Sequence, residues 1–291
     1  MSHNFPNSSK LSVSLIITTY KWSEALSVTL NSILSQSIYP EEIIIADDGS
    51  GTKTAQAVIN TLKSSDLRWC HVRQNDKGIR QARIKNLGVK YSRSRYLIFI
   101  DHDVALHPDF ISDHIHIAEK GFFLQGKRSF LPEVYTIKIL SEGIFRQPSL
   151  LIRGLENRKN AFRSQKIGRI LAREKEFQTS LRGCNLSMFK DDFIEIDGYD
   201  ETFDQLWGRE DSDICYRLFH RGVKCKNLWF SALQYHLYHR VTKNREKDRL
   251  DRELDKIIQE KRVKAVKGFS QLSSEGEIIS ASKDFDLVAI H

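Results

Sequence analysis

The sequence is short of the residues that mark the commonest special architectures. Its four cysteines, Cys70, Cys184, Cys215 and Cys225, form no CxxC pair and show no metal-ligand spacing. That argues against a zinc module or a disulfide framework. They are expected as reduced, mostly buried thiols of a cytosolic protein. Only 15 glycines and 5 prolines occur in 291 residues, which excludes collagen-like and low-complexity chains. No run approaches ~18 apolar residues, so no membrane-spanning helix is expected. The polar stretch 1–10 lacks the apolar region of a signal peptide.

What is present fits a folded domain. Hydrophobic residues make up 40% and aromatics 10%, too much for a disordered chain. Lys and Arg number 45 against 37 Asp and Glu, a net charge of +8. A basic balance invites polyanions: nucleic acid, anionic lipid or phosphorylated substrates.

The first hundred residues repeat one pattern: a short apolar run, a polar loop, then a helical stretch. Residues 13–17, 42–46, 67–73 and 96–100 read as strands. Residues 23–37, 52–63 and 79–91 read as helices between them, the first with Leu26, Leu30, Ile33 and Leu34 at helical spacing. Such alternation predicts a mainly parallel α/β sheet whose strands are covered on both faces. Ligands of open α/β sheets bind at the carboxyl ends of the strands. That edge is expected to carry Thr19, Tyr20, Asp47, Asp48, Lys77, Asp101 and Asp103. Further on, 186–189 reads as a strand, 211–221 as a helix, and 243–267 as an exposed charged helix. The last twenty-odd residues read as a loose tail. The stretch 121–177 is rich in Arg and Lys, including Arg163, Lys166 and Arg169. It is expected to form one or two basic amphipathic helices or a mobile segment, either as a solvated face or in contact with an anionic membrane or acceptor.

Asp101 and Asp103 follow Leu97-Ile98-Phe99-Ile100 directly. Two acids at the end of a buried strand repel unless a cation lies between them. Hard oxygen ligands suit Mg²⁺ or Mn²⁺, which bridge diphosphate oxygens.

These residues resemble the nucleotide-sugar-dependent family 2 glycosyltransferases of GT-A fold. Val13-Ser14-Leu15-Ile16-Ile17-Thr18-Thr19-Tyr20 is similar to their opening strand, and Ala46-Asp47-Asp48-Gly49-Ser50 to their second motif. Asp101-His102-Asp103 matches DxD, and Gln81-Ala82-Arg83-Ile84-Lys85-Asn86-Leu87-Gly88 resembles the preceding helix. Gly183-Cys184-Asn185-Leu186-Ser187 with Gly198-Tyr199-Asp200 looks like the acceptor side. Trp207-Gly208-Arg209-Glu210-Asp211 resembles the W-G-x-E-D segment of galactosyltransferase-like and chondroitin-polymerase-like domains, and His236-Leu237-Tyr238-His239 their metal-binding end. Arg209 stands where such enzymes often have a second glycine. The flavour is of a bacterial enzyme of lipopolysaccharide or capsule assembly.

The resemblance implies a division of the chain: a polar tail (1–12), a nucleotide-sugar-binding half (13–120), a basic helical insertion (121–181), an acceptor and catalytic half (182–240), and a charged helix with tail (241–291). It implies transfer of a sugar from a UDP-sugar, with Gal, GalNAc, Glc or GlcNAc as the sugar, to a hydroxyl of a glycan or glycolipid. Asp211 is expected as the base, with Glu210 beside it, giving inversion. Thr18, Thr19, Tyr20, Asp47 and Asn75 are expected near the uridine, and Lys77, Arg80 and Arg83 near the diphosphate. Asp101, His102 and Asp103 complete the donor side. Asp101, Asp103, His236 and His239 are the metal candidates, for Mn²⁺ or Mg²⁺. The motif leaves open which histidine serves. Trp207, Gly208, Cys184 and Asn185 are expected on the acceptor side; Trp22, Trp69 and Trp229 in or near the core. The expected location is cytoplasmic, peripheral on the inner face of the cell membrane.

Three other readings compete. A nucleic-acid-binding protein would account for the charge, but no recognition motif appears and no specific nucleic acid is expected. A nucleotidyltransferase of similar α/β fold would want an early Gly-rich loop, and 13–25 contain no glycine. A glycoside hydrolase would use Asp103 and Asp211 as its carboxylate pair.

Overall fold

The computed structural model describes residues 11–175, 183–205, 208–240 and 247–285. Its first part alternates as the apolar pattern predicts. Strands β1 (Val13–Thr19), β2 (Glu42–Asp47), β3 (Trp69–Arg73) and β4 (Tyr96–Asp101) are separated by helices α1 (Ser23–Ile33), α2 (Thr52–Leu62) and α3 (Gln81–Lys90). All four strands run parallel in the spatial order β3-β2-β1-β4. Their side chains alternate between two cores. Leu15, Ile17, Ile43, Ile45, Ile98 and Ile100 face one; Ile16, Ile44, Ala46, Leu97 and Phe99 face the other. Burial on both faces is why these strands read as unbroken apolar runs.

The chain then builds a second, smaller sheet. A short strand, β5 (Val104–Leu106), leads into α4 (Phe110–Ile117), β6 (Phe122–Gln125), β7 (Ser129–Phe130), α5 (Glu133–Glu142), α6 (Gln165–Leu171) and β8 (Glu174–Lys175). After these come β9 (Asn185–Phe189), α7 (Lys190–Glu195), α8 (Glu210–His220), β10 (Lys224–Asn227) and β11 (Gln234–His236). The main sheet extends through β9, antiparallel to both β4 and β6, with β10 and β8 beyond. The small sheet has the order β5-β11-β7. The stretch read as a helical insertion therefore also gives β6 to the main sheet and β7 to the small one.

Two expectations at the C-terminal end change. Helix α9 (Lys247–Gln259) is shorter than expected, and it buries Leu250, Leu254 and Ile257 against Phe203 and Tyr216. The supposed loose tail contains β12 (Glu277–Ala281), which pairs antiparallel with β3. Phe285 is buried beyond it, with the Arg68 guanidinium over its ring at 4.7 Å. The strand covers what would be an open sheet edge, which exposed ladder groups make a liability.

Candidate active site

Strand register sets the site. Thr19 lies opposite Asp47 and Thr18 opposite Asp101 across the parallel pairs, so three strands end at one level. Among the described residues, the hydroxyl oxygens of Thr18 and Thr19 are buried without a hydrogen-bond partner, as is Nε2 of His102. His102 contacts the Thr18 carbonyl through Nδ1 at 3.2 Å. Buried polar atoms normally find partners, so this unsatisfied group marks where a ligand is wanted.

Asp103 lies just past β4, and the small sheet brings the histidines to it. Pairing of His236 with Val104, and the Leu237 N–H donating to the Asp103 carbonyl at 2.9 Å, turn the end of β11 toward this carboxylate. Nε2 of His236 and of His239 each lie 3.3 Å from Asp103 Oδ2. The three ligand atoms fall within 4.8 Å of one another. Asp103 Oδ1 is buried with no hydrogen-bond partner among the described residues. Burial pushes the Asp103 carboxyl upward, but the histidines outweigh it and hold it below the usual range. Burial lowers His236 to about 4, leaving a neutral imidazole with a lone pair to offer. The set fits a divalent cation, with imidazole nitrogen suiting Mn²⁺.

Both histidines therefore converge, which the motif left open. Asp101, expected with them, stands apart from this trio. It lies 3.8 Å from Arg128, and burial together with the Asp103 charge raises its carboxyl.

A second cluster sits on the facing helices. Glu210 and Asp211 open α8, where acids favour the helix dipole. The Lys85 ammonium, projecting from α3, lies 3.1 Å from Glu210 and 2.8 Å from Asp211, above the Tyr199 ring at 4.8 Å. Burial alone would lower Lys85, but the two carboxylates hold it well above its ordinary value, fully charged. Burial and the Asp211 charge raise Glu210. Glu210 is buried, whereas the Asp211 side chain keeps 23% exposure. Asp211 is thus the member open to a substrate. Gly183 packs beneath it: a Cβ there would stand 1.9 Å from Asp211 Oδ1. Arg209, just before α8, adopts φ +76, a conformation that suits the glycine of related sequences, and is tied to Asp251 at 2.6 Å.

Several residues predicted for ligand contact are used internally. Asp47 is fully buried, accepting from the Ser50 N–H at 2.8 Å and facing His71 Nε2 at 2.9 Å. Arg80 binds Glu275 and the Asn75 carbonyl, and Arg83 binds Gln74, Ser273 and the Glu275 carbonyl. Their guanidiniums, expected near the diphosphate, are held by the C-terminal stretch. Lys77 is exposed and 3.4 Å from Glu275. Asn75 is exposed, as is Tyr20, whose hydroxyl reaches Asp76 at 3.4 Å. Asn185 is fully buried: His114 contacts its oxygen at 3.0 Å, and its amide donates to the Lys127 and Ala232 carbonyls. It braces β9 and has no free group for an acceptor. Cys184 is buried; Gly208 has open space about it. Trp207 lies outside the described residues.

Three residues at the site were not anticipated there. Lys85 reads in sequence as one basic residue of the motif helix 81–88, with no role of its own. Arg128 belongs to the basic stretch, yet its guanidinium lies over the Phe130 ring at 5.0 Å; burial lowers its basicity, and Cys184, Asp101, Asp103 and Asp211 together raise it above the ordinary value. Trp22 packs edge-on against His102 and His239, with centroids 6.3 and 5.9 Å apart.

The chain has known relatives. The family model described as Glycosyl transferase family 2 matches residues 14–190, and one described as N-terminal domain of galactosyltransferase matches 170–240. The chain belongs to glycosyl transferase family 2. It is 28% identical over 280 residues to a chondroitin synthase of Pasteurella multocida, covering 89% of this chain and 28% of that protein. It is 27% identical to a chondroitin synthase of Escherichia coli, covering 77% of this chain and 34% of that one. The chain thus spans about a third or less of these curated relatives. A shorter match, 37% over 113 residues, covers 38% of the chain and 43% of the UDP-Glc:alpha-D-GlcNAc-diphosphoundecaprenol beta-1,3-glucosyltransferase of Escherichia coli. In fold it resembles a mannosyltransferase of Pyrobaculum calidifontis solved with GDP-Man and Mn²⁺ (TM-score 0.56, 14% identity, covering 80% of this chain and 59% of that one). It also resembles S. aureus TarS 1–349 (TM-score 0.57, 14% identity, 90% and 68%). The fold is that of the GT-A glycosyltransferases.

Proposed function

We propose that the protein transfers a sugar from a UDP-sugar to a hydroxyl of a glycan or glycolipid, with inversion at the anomeric carbon. Gal, GalNAc, Glc and GlcNAc are the donor sugars to test. The observation that supports this most is the pairing of two unlike carboxylate clusters at one strand edge, Asp103 with two imidazoles and Asp211 on a buried lysine. A divalent cation held by Asp103, His236 and His239 would neutralise charge on the departing diphosphate. Asp211 takes the proton of the incoming hydroxyl. Lys85 fixes its carboxylate at 2.8 Å, and Glu210 shares that lysine. Thr18, Thr19 and His102 offer buried polar atoms to the nucleoside side. Arg128, 3.8 Å from Asp101, adds positive charge that both clusters feel. A single base acting opposite the leaving group gives inversion. Peripheral contact with an anionic membrane belongs to the same reading, supported by nine Lys and Arg against three Glu over 133–173.

The test is a panel of UDP-sugars scored for Mn²⁺-dependent UDP release, with and without candidate acceptors. Release with at least one sugar is expected. No release and no nucleotide-sugar binding under any metal condition would end the transferase reading.

A further inference from the structure

The basic stretch was read as helical; the structure adds which of its faces point outward. Nine of the fifteen exposed large hydrophobic residues among the described residues fall between 134 and 171. Val134 is 81% exposed and Leu151 85%. On α5, Val134, Ile137 and Lys138 face out while Thr136 and Ile139 face in, which places the exposed pair one turn apart on one stripe.

Helix α6 goes further. An amphipathic helix normally turns its apolar stripe to the core. Here Gly168 is the buried residue, so close to the body that a Cβ would meet Ser231 Oγ at 2.1 Å. Ile167, Ile170 and Leu171, at i, i+3 and i+4, are left outside. Lys166, Arg169 and Arg173 are exposed beside them. Arg163 does not belong to this set: Asp109 and Asp113 hold it at 3.0 and 2.7 Å. The surrounding stretch, 133–173, carries nine Lys and Arg against three Glu, +6 of the chain's +8.

Exposed apolar residues rimmed by one sign of charge mark an interaction surface. We infer that the outer faces of α5 and α6 seat the protein on an anionic lipid surface, with Ile167, Ile170 and Leu171 entering the headgroup boundary and Lys166, Arg169 and Arg173 meeting lipid phosphates. This deepens the transferase reading and rests on it for its purpose. Both helices lean on the element that carries the histidines. The Tyr238 N–H donates to Thr136 Oγ1 of α5 at 2.9 Å, and Gly168 of α6 packs on Ser231 just before β11. A surface-borne acceptor would therefore arrive next to the metal-binding trio.

The experiment is co-sedimentation of the full chain with vesicles of phosphatidylcholine alone and of phosphatidylcholine with phosphatidylglycerol. Binding to the anionic vesicles, weakened by salt, is expected. The triple change Ile167→Ser, Ile170→Ser, Leu171→Ser should lower partitioning about tenfold or more. Lys166→Gln, Arg169→Gln and Arg173→Gln together should lower it about fivefold per charge and remove the preference for anionic lipid. Calorimetric binding of UDP with Mn²⁺, unchanged in both variants, shows that they are folded. Equal binding to both vesicle types, or variants that partition like wild type, would overturn the inference. So would a dimer in sedimentation velocity that the serine changes dissociate, because a second copy would then cover the face. Absent UDP release would refute the transferase reading and leave the vesicle result standing.

Discussion

The two carboxylate clusters occupy one crevice but differ in what neutralises them. Asp211 and Glu210 share an internal cation, the buried Lys85 ammonium. Asp103 has two imidazoles, one held neutral by burial, and an oxygen with no hydrogen-bond partner among the described residues. The first cluster is complete without a ligand; the second is short of positive charge. On the proposed reading the difference gives them separate tasks. A carboxylate pinned by a fixed lysine would be oriented to accept a proton, and a carboxylate beside two imidazoles, of which burial lowers His236 and the Asp103 hydrogen bond raises His239, would be prepared for a cation.

That comparison can be broken by substitution. The largest effect is expected from Asp211→Asn, which should lower turnover about 10³- to 10⁴-fold while leaving binding of UDP with Mn²⁺ within about twofold. Initial-rate UDP release and calorimetry read the two halves of that statement. Asp103→Asn should do the reverse at the metal, weakening Mn²⁺ binding roughly 100-fold, with single His236→Ala and His239→Ala changes costing on the order of tenfold each. Turnover should recover partly at high Mn²⁺ in the histidine variants and not in Asp211→Asn. If raised Mn²⁺ rescues Asp211→Asn, the division of tasks is wrong.

The lysine distinguishes the clusters by stability. Lys85→Met leaves two carboxylates without their cation, and denaturant unfolding should show a loss of about 3–5 kcal/mol. Lys85→Arg should restore part of it. Asp103→Asn, which removes a repelling acid beside Asp101, should cost far less.

The framework under both clusters has its own pH signature. His114 is buried against Asn185 and Ser187, and burial lowers it to about 4 from an unfolded value near 6.5. The unfolded chain therefore binds the extra proton first. The contribution is fully present above about pH 6.5 and is lost as pH falls toward 4, by roughly 3 kcal/mol at most. Melting curves of wild type and His114→Gln across that window should converge as pH falls. Parallel curves would mean that His114 does not carry this dependence.

Much of this was legible in the sequence where the chemistry is local. The four parallel strands are continuous apolar runs because both faces are covered, and their loops end in register, so the sequence pattern alone puts Thr19, Asp47 and Asp101 at one edge. The trio of Asp103, His236 and His239 was approachable through motif resemblance, although neither residue spacing nor composition joins positions 103 and 236. What stayed hidden depends on distant pairing. Lys85 looks like helix surface until α8 packs over it. Strand β12 has no signal apart from its partner β3, some two hundred residues earlier. Arg80, Arg83 and Asn185 show the opposite side: a polar side chain near a motif also serves the fold, and here the two arginines bind the C-terminal stretch while Asn185 binds His114 and the Lys127 and Ala232 carbonyls. Arg128 was counted as part of a charged stretch, when the turn between β6 and β7 aims it at the acids.

The most direct measurement is a calorimetric titration of UDP with Mn²⁺ into wild type, Asp103→Asn and Asp211→Asn, run beside their UDP-release rates. Wild-type binding in Asp211→Asn with turnover abolished, and lost binding in Asp103→Asn, is the predicted result. Binding of UDP with Mn²⁺ by Asp103→Asn as tightly as by wild type would contradict the account.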